Sequence, residues 1–297
     1  MAVQQFFLGA NSAHGFYSLY DGFCPADRGE FLWILKGGPG CGKSSFMKRI
    51  GLAAEKQGFD VEYVLCSGDP ASVDGVKIPA LGVGYADGTA PHVLEPSCPA
   101  VSGSYIDLSQ FYNFAALRDS AERITALNRA YKACYREAYR ILSVASGAAE
   151  GLRCAPKEPH LTFLTVKNTP GRRTRRFLRA ITCKGLIELE HPNGRMVGSF
   201  SELDALAENA LQAGLDVIVH PHPLLPELTE GLTIDGEHFC ADCAAADELF
   251  REAVTGAVVS LRQAKTLHDE LEAAYNPHVD FEGVYALAEQ HIQRLLS

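Results

Sequence analysis

Residues 36–45 read KGGPGCGKSS, and this stretch decides the fold. Gly37, Gly38, Pro39, Gly40, Cys41, Gly42, Lys43, Ser44 and Ser45 fit the spacing Gly-x-x-x-x-Gly-Lys-Ser, with one extra serine, once in the chain. Each residue type has a task in holding phosphate. Glycines let backbone N–H groups turn inward onto phosphate oxygens, and the lysine places a point charge on the β- and γ-phosphates. The serine hydroxyl suits Mg²⁺, and a helix opening there aims its positive end at the anion. The flanks agree with this. EFLWILK (30–36) is a short apolar run that stops at glycines, which predicts a buried strand. SSFMKRIGLAAEKQG (44–58) has apolar residues at helical spacing and a glycine stop. Strand, glycine loop and helix in that order predict a site for ATP and Mg²⁺. The competing explanation, a glycine turn that contains Lys-Ser by coincidence, does not account for both flanks.

Working outward, DVEYVLC (60–66) and ALGVGYAD (80–87) read as further strands, with a loop between them. This rhythm predicts an α/β fold of P-loop NTPase type, a parallel sheet with crossover helices. From Leu108 to Leu152 the spacing is helical, and APKEP (155–159) breaks it. After the break the pattern restarts. FLGANSAHGFYSL (7–19) and FLRAITCKGLIEL (177–189) share Phe, Leu, Ala, Gly and Leu at equal spacing, with Ser12 over Thr182. GFDVEYVLCSGDP (58–70) matches GLDVIVHPHPLLP (214–226) at Gly, Asp, Val and the final Pro. The expectation is two related halves, residues 1–155 and 156–297. The second half ends in helical stretches at 244–273 and 280–296, separated by YNPHVD.

The second half is expected to be degenerate. Gly198 precedes Gly214 by the sixteen positions that separate Gly42 from Gly58. In that register Ser199 replaces Lys43 and Phe200 replaces Ser44, so lysine and metal hydroxyl are both missing.

Beside the loop, the catalytic candidates are Lys43, Asp87, Asp69 and His92. Asp87 ends an apolar run, where a P-loop protein needs a carboxylate for Mg²⁺. Asp87-Gly88 also reads as a turn. Asp69 and Asp74 lie in SGDPASVDG, at the carboxyl end of a strand, where ligand crevices form. Either could orient a hydroxyl or water, or belong to an Asp-Pro turn and a solvated loop. His92 could act as base, phosphate contact or sensor, or be a plain loop histidine. No NKxD or TKxD reads guanine and no LSGGQ appears, so ATP is the default nucleotide.

With these residues in view, the chain resembles a bacterial family of P-loop ATPase-like proteins with tandem repeats, some labelled nucleotide kinases by analogy of fold. The similar segments are FFLGANSAHGF (6–16), LKGGPGCGKSSFMKRIG (35–51), CSGDPASVDGV (66–76), ADGTAPHVLEP (86–96), RFLRAITCKG (176–185) and LHDELEAAYNPHVDF (267–281). The resemblance implies ATP binding and the fold, and names no phosphoryl acceptor. Some members carry a second P-loop, and Ser199 and Phe200 depart from that pattern.

Other features bear on partners. The net charge is −9, which argues against a nucleic-acid binder with a basic surface. No run of eighteen apolar residues occurs, so no membrane span is expected. The N-terminus lacks a signal-peptide pattern, and nine scattered cysteines suit a reducing, cytoplasmic setting. KNTPGRRTRRFLRA (167–180) holds five arginines and a lysine. It could supply an arginine to the γ-phosphate, bind a polyanion through 172–179, or be a solvated connection. HPHP (220–223), His238 and CADC (240–243) could together make a zinc site, but a lone CxxC is a weak signal and the spacing matches no standard finger. Cys41 sits at a helix N-terminus, where a thiol can be activated, or is an inert small side chain. Tyr131, Tyr135 and Tyr139 have helical spacing, which predicts packing first and a lid or base contact second. Three functions are therefore expected in turn: an ATP hydrolase or phosphotransferase acting on a small molecule, a nucleotide switch read by a protein partner, or a polyanion binder.

Overall fold

A computed structural model describes residues 2–145, 161, 163–189, 194–197, 199–242 and 244–297. The chain forms two compact units, each assembled from separated segments. Unit one takes residues 1–6, 20–135 and 260–297, and unit two takes 7–19 and 136–259. The sequence had suggested one boundary near 155. It could not show that residues 7–19 leave the first half to pack with the second.

Unit one is a mixed six-stranded sheet. Its strands are β1 (Val3–Phe6), β4 (Phe31–Lys36), β5 (Val61–Leu65), β6 (Val73–Ile78), β7 (Val83–Asp87) and β8 (Gly103–Asp107). They lie in the order β1-β5-β6-β7-β4-β8. The pairs β1–β5, β4–β7 and β4–β8 are parallel. β6 runs antiparallel to both β5 and β7. This corrects the expected all-parallel sheet, because part of the expected 67–75 loop is a central strand. All six residues of β6 are buried. Asp74 and Lys77 disguise it, and both are buried with partners. Lys77 Nζ donates to Phe23 O at 3.0 Å and to Glu30 Oε2 at 2.8 Å.

α1 (Lys43–Lys56) packs on β5 and β6 through Phe46, Met47, Ile50, Gly51 and Ala54, a single helical stripe. Fully burying Phe46, Met47 and Ile50 stabilises the unit by about 1.5–3 kcal/mol each. Gly51 has a packing reason: a Cβ there would lie 2.3 Å from the Tyr63 hydroxyl. α2 (Phe114–Asp119) and α3 (Ala121–Val144) follow β8, and α5 (Ala244–Tyr275) and α6 (Phe281–Leu296) end the chain. The unit boundaries fall within α3 and α5. Asp280 caps α6 by accepting from Gly283 N at 3.0 Å. No described helix is long and apolar enough to cross a membrane.

Unit two has a five-stranded sheet of β9 (Arg173–Arg175), β12 (Arg195–Met196), β13 (Val217–Pro221), β14 (Thr229–Ile234) and β15 (Glu237–Cys240). Its order, β9-β13-β14-β15-β12, repeats β1-β5-β6-β7-β4 with the same parallel and antiparallel pairings. The register shifts at Val64/Leu65 in one sheet and at His220/Pro221 in the other. α4 (Phe200–Gln212) packs on β13 and β14. Neither sheet closes into a barrel.

Unit two also holds two hairpins, β2–β3 (Gly9–Ser12, Gly15–Ser18) and β10–β11 (Arg179–Thr182, Gly185–Glu188). Ser12 and Thr182, matched in sequence, make the same two bonds. Ser12 Oγ donates to Gly15 O and accepts from His14 N. Thr182 Oγ1 donates to Gly185 O and accepts from Lys184 N. Phe7 and Phe177 exchange both backbone bonds at 2.9 Å. Equivalent residues that bond to each other describe a local two-fold between the hairpins.

Candidate functional site

The loop between β4 and α1 carries the glycine stretch. Gly37, Gly40 and Gly42 take φ of 154, 69 and 88°, values that an L side chain rarely adopts. Gly42 is the N-cap of α1, and no side chain caps the first turn. Uncapped amides at a helix start attract an anion. Lys43 folds back over the loop. Its Nζ donates to Gly37 O at 2.8 Å and Gly38 O at 2.9 Å. It also lies 3.7 Å from Asp87 Oδ2.

Strand pairing puts Asp87 there. β7 lies beside β4, and Asp87 pairs with Leu35, next to the root of the loop. The two carboxylate oxygens divide the two roles expected of this residue. Oδ1 accepts from Thr89 N at 2.8 Å and Thr89 Oγ1 at 2.6 Å, which makes the turn. Oδ2 faces Lys43. Ser44 Oγ accepts from Val73 N at 3.1 Å, which leaves its second lone pair. Ser44 and Asp87 are the hard oxygen donors that Mg²⁺ takes. With Lys43 and the uncapped amides, the residues present fit a magnesium polyphosphate.

The outer side of the loop has a different job. A Cβ on Gly38 would lie 2.9 Å from the Tyr112 hydroxyl, and one on Gly40 would lie 2.4 Å from Asn276. The Asn276 amide, turned so that nitrogen faces the loop, donates to Gly40 O at 3.0 Å and Glu272 O at 3.1 Å. These glycines therefore also admit the helical wall that braces the loop.

Asp74 and His92 meet in the same cavity wall as the loop. Asp74 Oδ2 is 3.0 Å from His92 Nε2, with the side chains 9% and 7% exposed. The Tyr20 ring tilts against the imidazole, with centroids 4.8 Å apart. Burial alone would push His92 down, but the charge and hydrogen bond of Asp74 outweigh it and hold the imidazole above its usual 6.5. Lys36, the last residue of β4, staples the loop that carries His92 by donating to Gly88 O and Leu94 O, each at 3.0 Å. Asp69 makes its Asp-Pro turn, accepting from Ala71 N at 3.1 Å, and pairs with Lys265 at 3.3 Å.

The loop, Asp69, Asp74, Asp87, Thr89, His92 and Asn276 line one cavity of about 610 Å³ in unit one, a size suited to a small ligand. Every proposed loop residue, Gly37 through Ser45, is in its wall, as are Asp69, Asp74, Asp87 and His92. Sequence reasoning missed Asn128, Lys132, His268, Asn276, Phe281 and Tyr285 in the same wall. They come from α3, α5, α6 and the turn between the last two, and although LHDELEAAYNPHVDF (267–281) holds three of them, nothing local gives them a site role. Tyr131 was flagged by spacing alone. It lines the cavity and packs against Tyr135 and His268.

The remaining candidates lie elsewhere. No arginine lines this cavity among the described residues. In unit two, Arg173 pairs with Glu208, Arg175 donates to Tyr17 and Pro226 O, and Arg179 grips Glu230. His220, His222 and His238 are buried, and His220 and His238 share the Thr233 hydroxyl. Among the described residues they form no metal-type cluster. Gly198 and Cys243 lie outside the described residues. Burial pushes the Cys41 thiol up, and Lys43 only partly offsets it, which favours an inert side chain. Compared with protein-family models, with curated proteins and with solved structures, the chain finds no match.

Proposed function

We propose that this chain is a P-loop protein that binds Mg·ATP in the unit-one cavity and hydrolyses it or transfers its terminal phosphoryl group. One observation carries the reading. The loop that opens α1 leaves its amides uncapped while Lys43 bridges two loop carbonyls and faces Asp87. In this reading the loop amides and Lys43 hold the phosphates, and Ser44 and Asp87 hold the ion. Mg²⁺, when bound, neutralises charge on the β- and γ-phosphates. The oxygen of water or of an acceptor hydroxyl bonds to the γ-phosphorus as the bridging P–O bond breaks. ADP leaves with the electron pair, and the proton passes to water or to a cavity carboxylate such as Asp69. A cytoplasmic setting belongs to the same proposal and agrees with the free thiols of the seven described cysteines.

We infer as well that the halves derive from one repeated unit whose second copy no longer binds nucleotide. The repeated strand order and the matching hairpin bonds support this.

The test uses Trp33, the chain's only tryptophan. It packs edge-on against His291 of α6 at 4.8 Å, and α6 brings Phe281 and Tyr285 to the cavity. Trp33 fluorescence is expected to respond to Mg·ATP, and Lys43→Ala to weaken binding about a hundredfold. No response in the wild type, with calorimetry also silent, would sink the reading. Labelled ATP with pooled metabolites then separates the activities. A phosphorylated product means transfer. Slow turnover indifferent to any metabolite means a switch read by a protein partner.

A further inference from the structure

We propose that His92 contacts the terminal phosphate of a bound nucleoside triphosphate and lets the protein distinguish triphosphate from diphosphate, with Asp74 as the residue that positions it. This rests on nucleotide binding at the Gly37–Ser45 loop.

The pair is an unusual thing to bury. Asp74 is on β6 and His92 in the loop after β7, yet Oδ2 and Nε2 meet at 3.0 Å with less than a tenth of either side chain exposed. Buried ion pairs are poor devices for stability, because desolvating two charges offsets most of their attraction. Well-packed apolar residues often serve as well or better. A pair kept in a cavity wall, rather than in a closed core, therefore points to a ligand.

Position and charge say which part of the ligand. His92 lines the same cavity as Lys43 and Asp87, the groups assigned to the β- and γ-phosphates and the ion. The basic side chains along this wall are Lys43, Lys132 and the histidines 92 and 268. Lys132 is exposed, and His268 is half-buried beside Glu272. Lys43, which bridges Gly37 O and Gly38 O, is the loop's own phosphate contact. His92, paired with Asp74, is the buried histidine of this wall, and phosphoryl sites need a cationic group where charge builds on the terminal phosphate. Asp74 aligns the ring and sustains its charge, and Tyr20 backs its face at 4.8 Å. An imidazolium held in this way repels a metal ion and attracts an anion, so phosphate rather than Mg²⁺ is its partner.

The experiment is calorimetry on the full chain with Mg²⁺ and either ADP or a triphosphate analogue with an imido bridge between β and γ. His92→Gln is expected to weaken the analogue about tenfold or more while leaving ADP within about twofold, the loss of one charge-assisted hydrogen bond. Asp74→Asn should shift the same ratio less. Equal losses for both nucleotides, or no loss for either, overturn the proposal. A wild type that binds neither nucleotide overturns the nucleotide-binding reading itself, and this one with it. If the variants melt early, the wild type still decides. The imidazole nitrogen resonances of His92 should move with the analogue and stay put with ADP, and equal movement counts against the proposal.

Discussion

α1 and α4 hold the same place against sheets of the same strand order, and their first turns have opposite chemistry. α1 begins at Gly42, with no side-chain cap, no acid in its first turn and Lys43 as its first residue. α4 begins at Ser199 with a full capping box. Ser199 N donates to Glu202 Oε2 at 2.7 Å, and the Ser199 hydroxyl accepts from Glu202 N at 3.4 Å. The buried Glu202 carboxylate lies at the helix start, accepts from the Ser199 amide and complements the positive end of the helix dipole. The two helix starts therefore differ in more than a lysine. The second helix has closed its own N-terminus.

The acids that open the third strand from the edge of each sheet tell the same story. In unit one Asp74 meets a titratable histidine in a cavity wall. In unit two Glu230 takes three bonds from Arg179, whose charge never leaves, and Phe250 lies against the guanidinium. One pair is suited to respond and the other to hold. The largest expected effect follows from that contrast. Arg179→Ala strands a buried carboxylate and is expected to cost about 3–5 kcal/mol of stability, read by urea unfolding, without altering nucleotide affinity once folded. A loss of nucleotide affinity in the folded variant would break the division of labour between the units.

How much of this was legible in the sequence depends on how local each signal is. The glycine loop, β4 and α1 were readable because loop chemistry, strand burial and helix period all lie within thirty residues. The two C-terminal helices were readable for the same reason, since period and the Asn276–Asp280 break are local. β6 was not. VDGVKI carries an acid, a lysine and a glycine, which look like a loop. Only partners far along the chain, His92 for Asp74 and Glu30 for Lys77, make those charges burial-competent. The far wall of the cavity was invisible because Lys132, His268, Asn276 and Phe281 come from more than eighty residues beyond the loop. The exchange of residues 7–19 into unit two was hidden too. The likeness of 7–19 to 177–189 was visible there, but not that Phe7 pairs with Phe177.

A smaller effect tests the helix comparison directly. Ser199→Ala removes the α4 cap and is expected to lower stability by about 1 kcal/mol, measured by urea unfolding. Nucleotide affinity should stay unchanged, because Ser199 belongs to unit two and the cavity to unit one. Ser199→Lys should likewise create no second site while Glu202 occupies the helix start. Calorimetry that finds two nucleotides bound to Ser199→Lys would show that the lysine alone separates the halves.

The smallest effect sharpens a comparison inside unit one, between two buried histidines that titrate in opposite directions. His291 is enclosed by Trp33, Phe46 and Tyr85. Burial, then the nearby Arg294, holds it below its usual 6.5. The unfolded chain therefore takes up the proton first, so stability is undiminished above 6.5 and is lost as pH falls below it. His92 is held above 6.5 by Asp74 against its own burial. Here the folded chain binds the proton more tightly, so the contribution is complete below 6.5 and is lost as pH rises through the folded value. Urea unfolding of the wild type, His291→Gln and His92→Gln between about pH 5 and 8 reads the two signs. The wild-type advantage over His291→Gln should grow with pH, and the advantage over His92→Gln should shrink. Two curves of the same sign would mean that Asp74 does not hold His92 charged, and the contrast between a core histidine and a ligand-facing one would fail at its root.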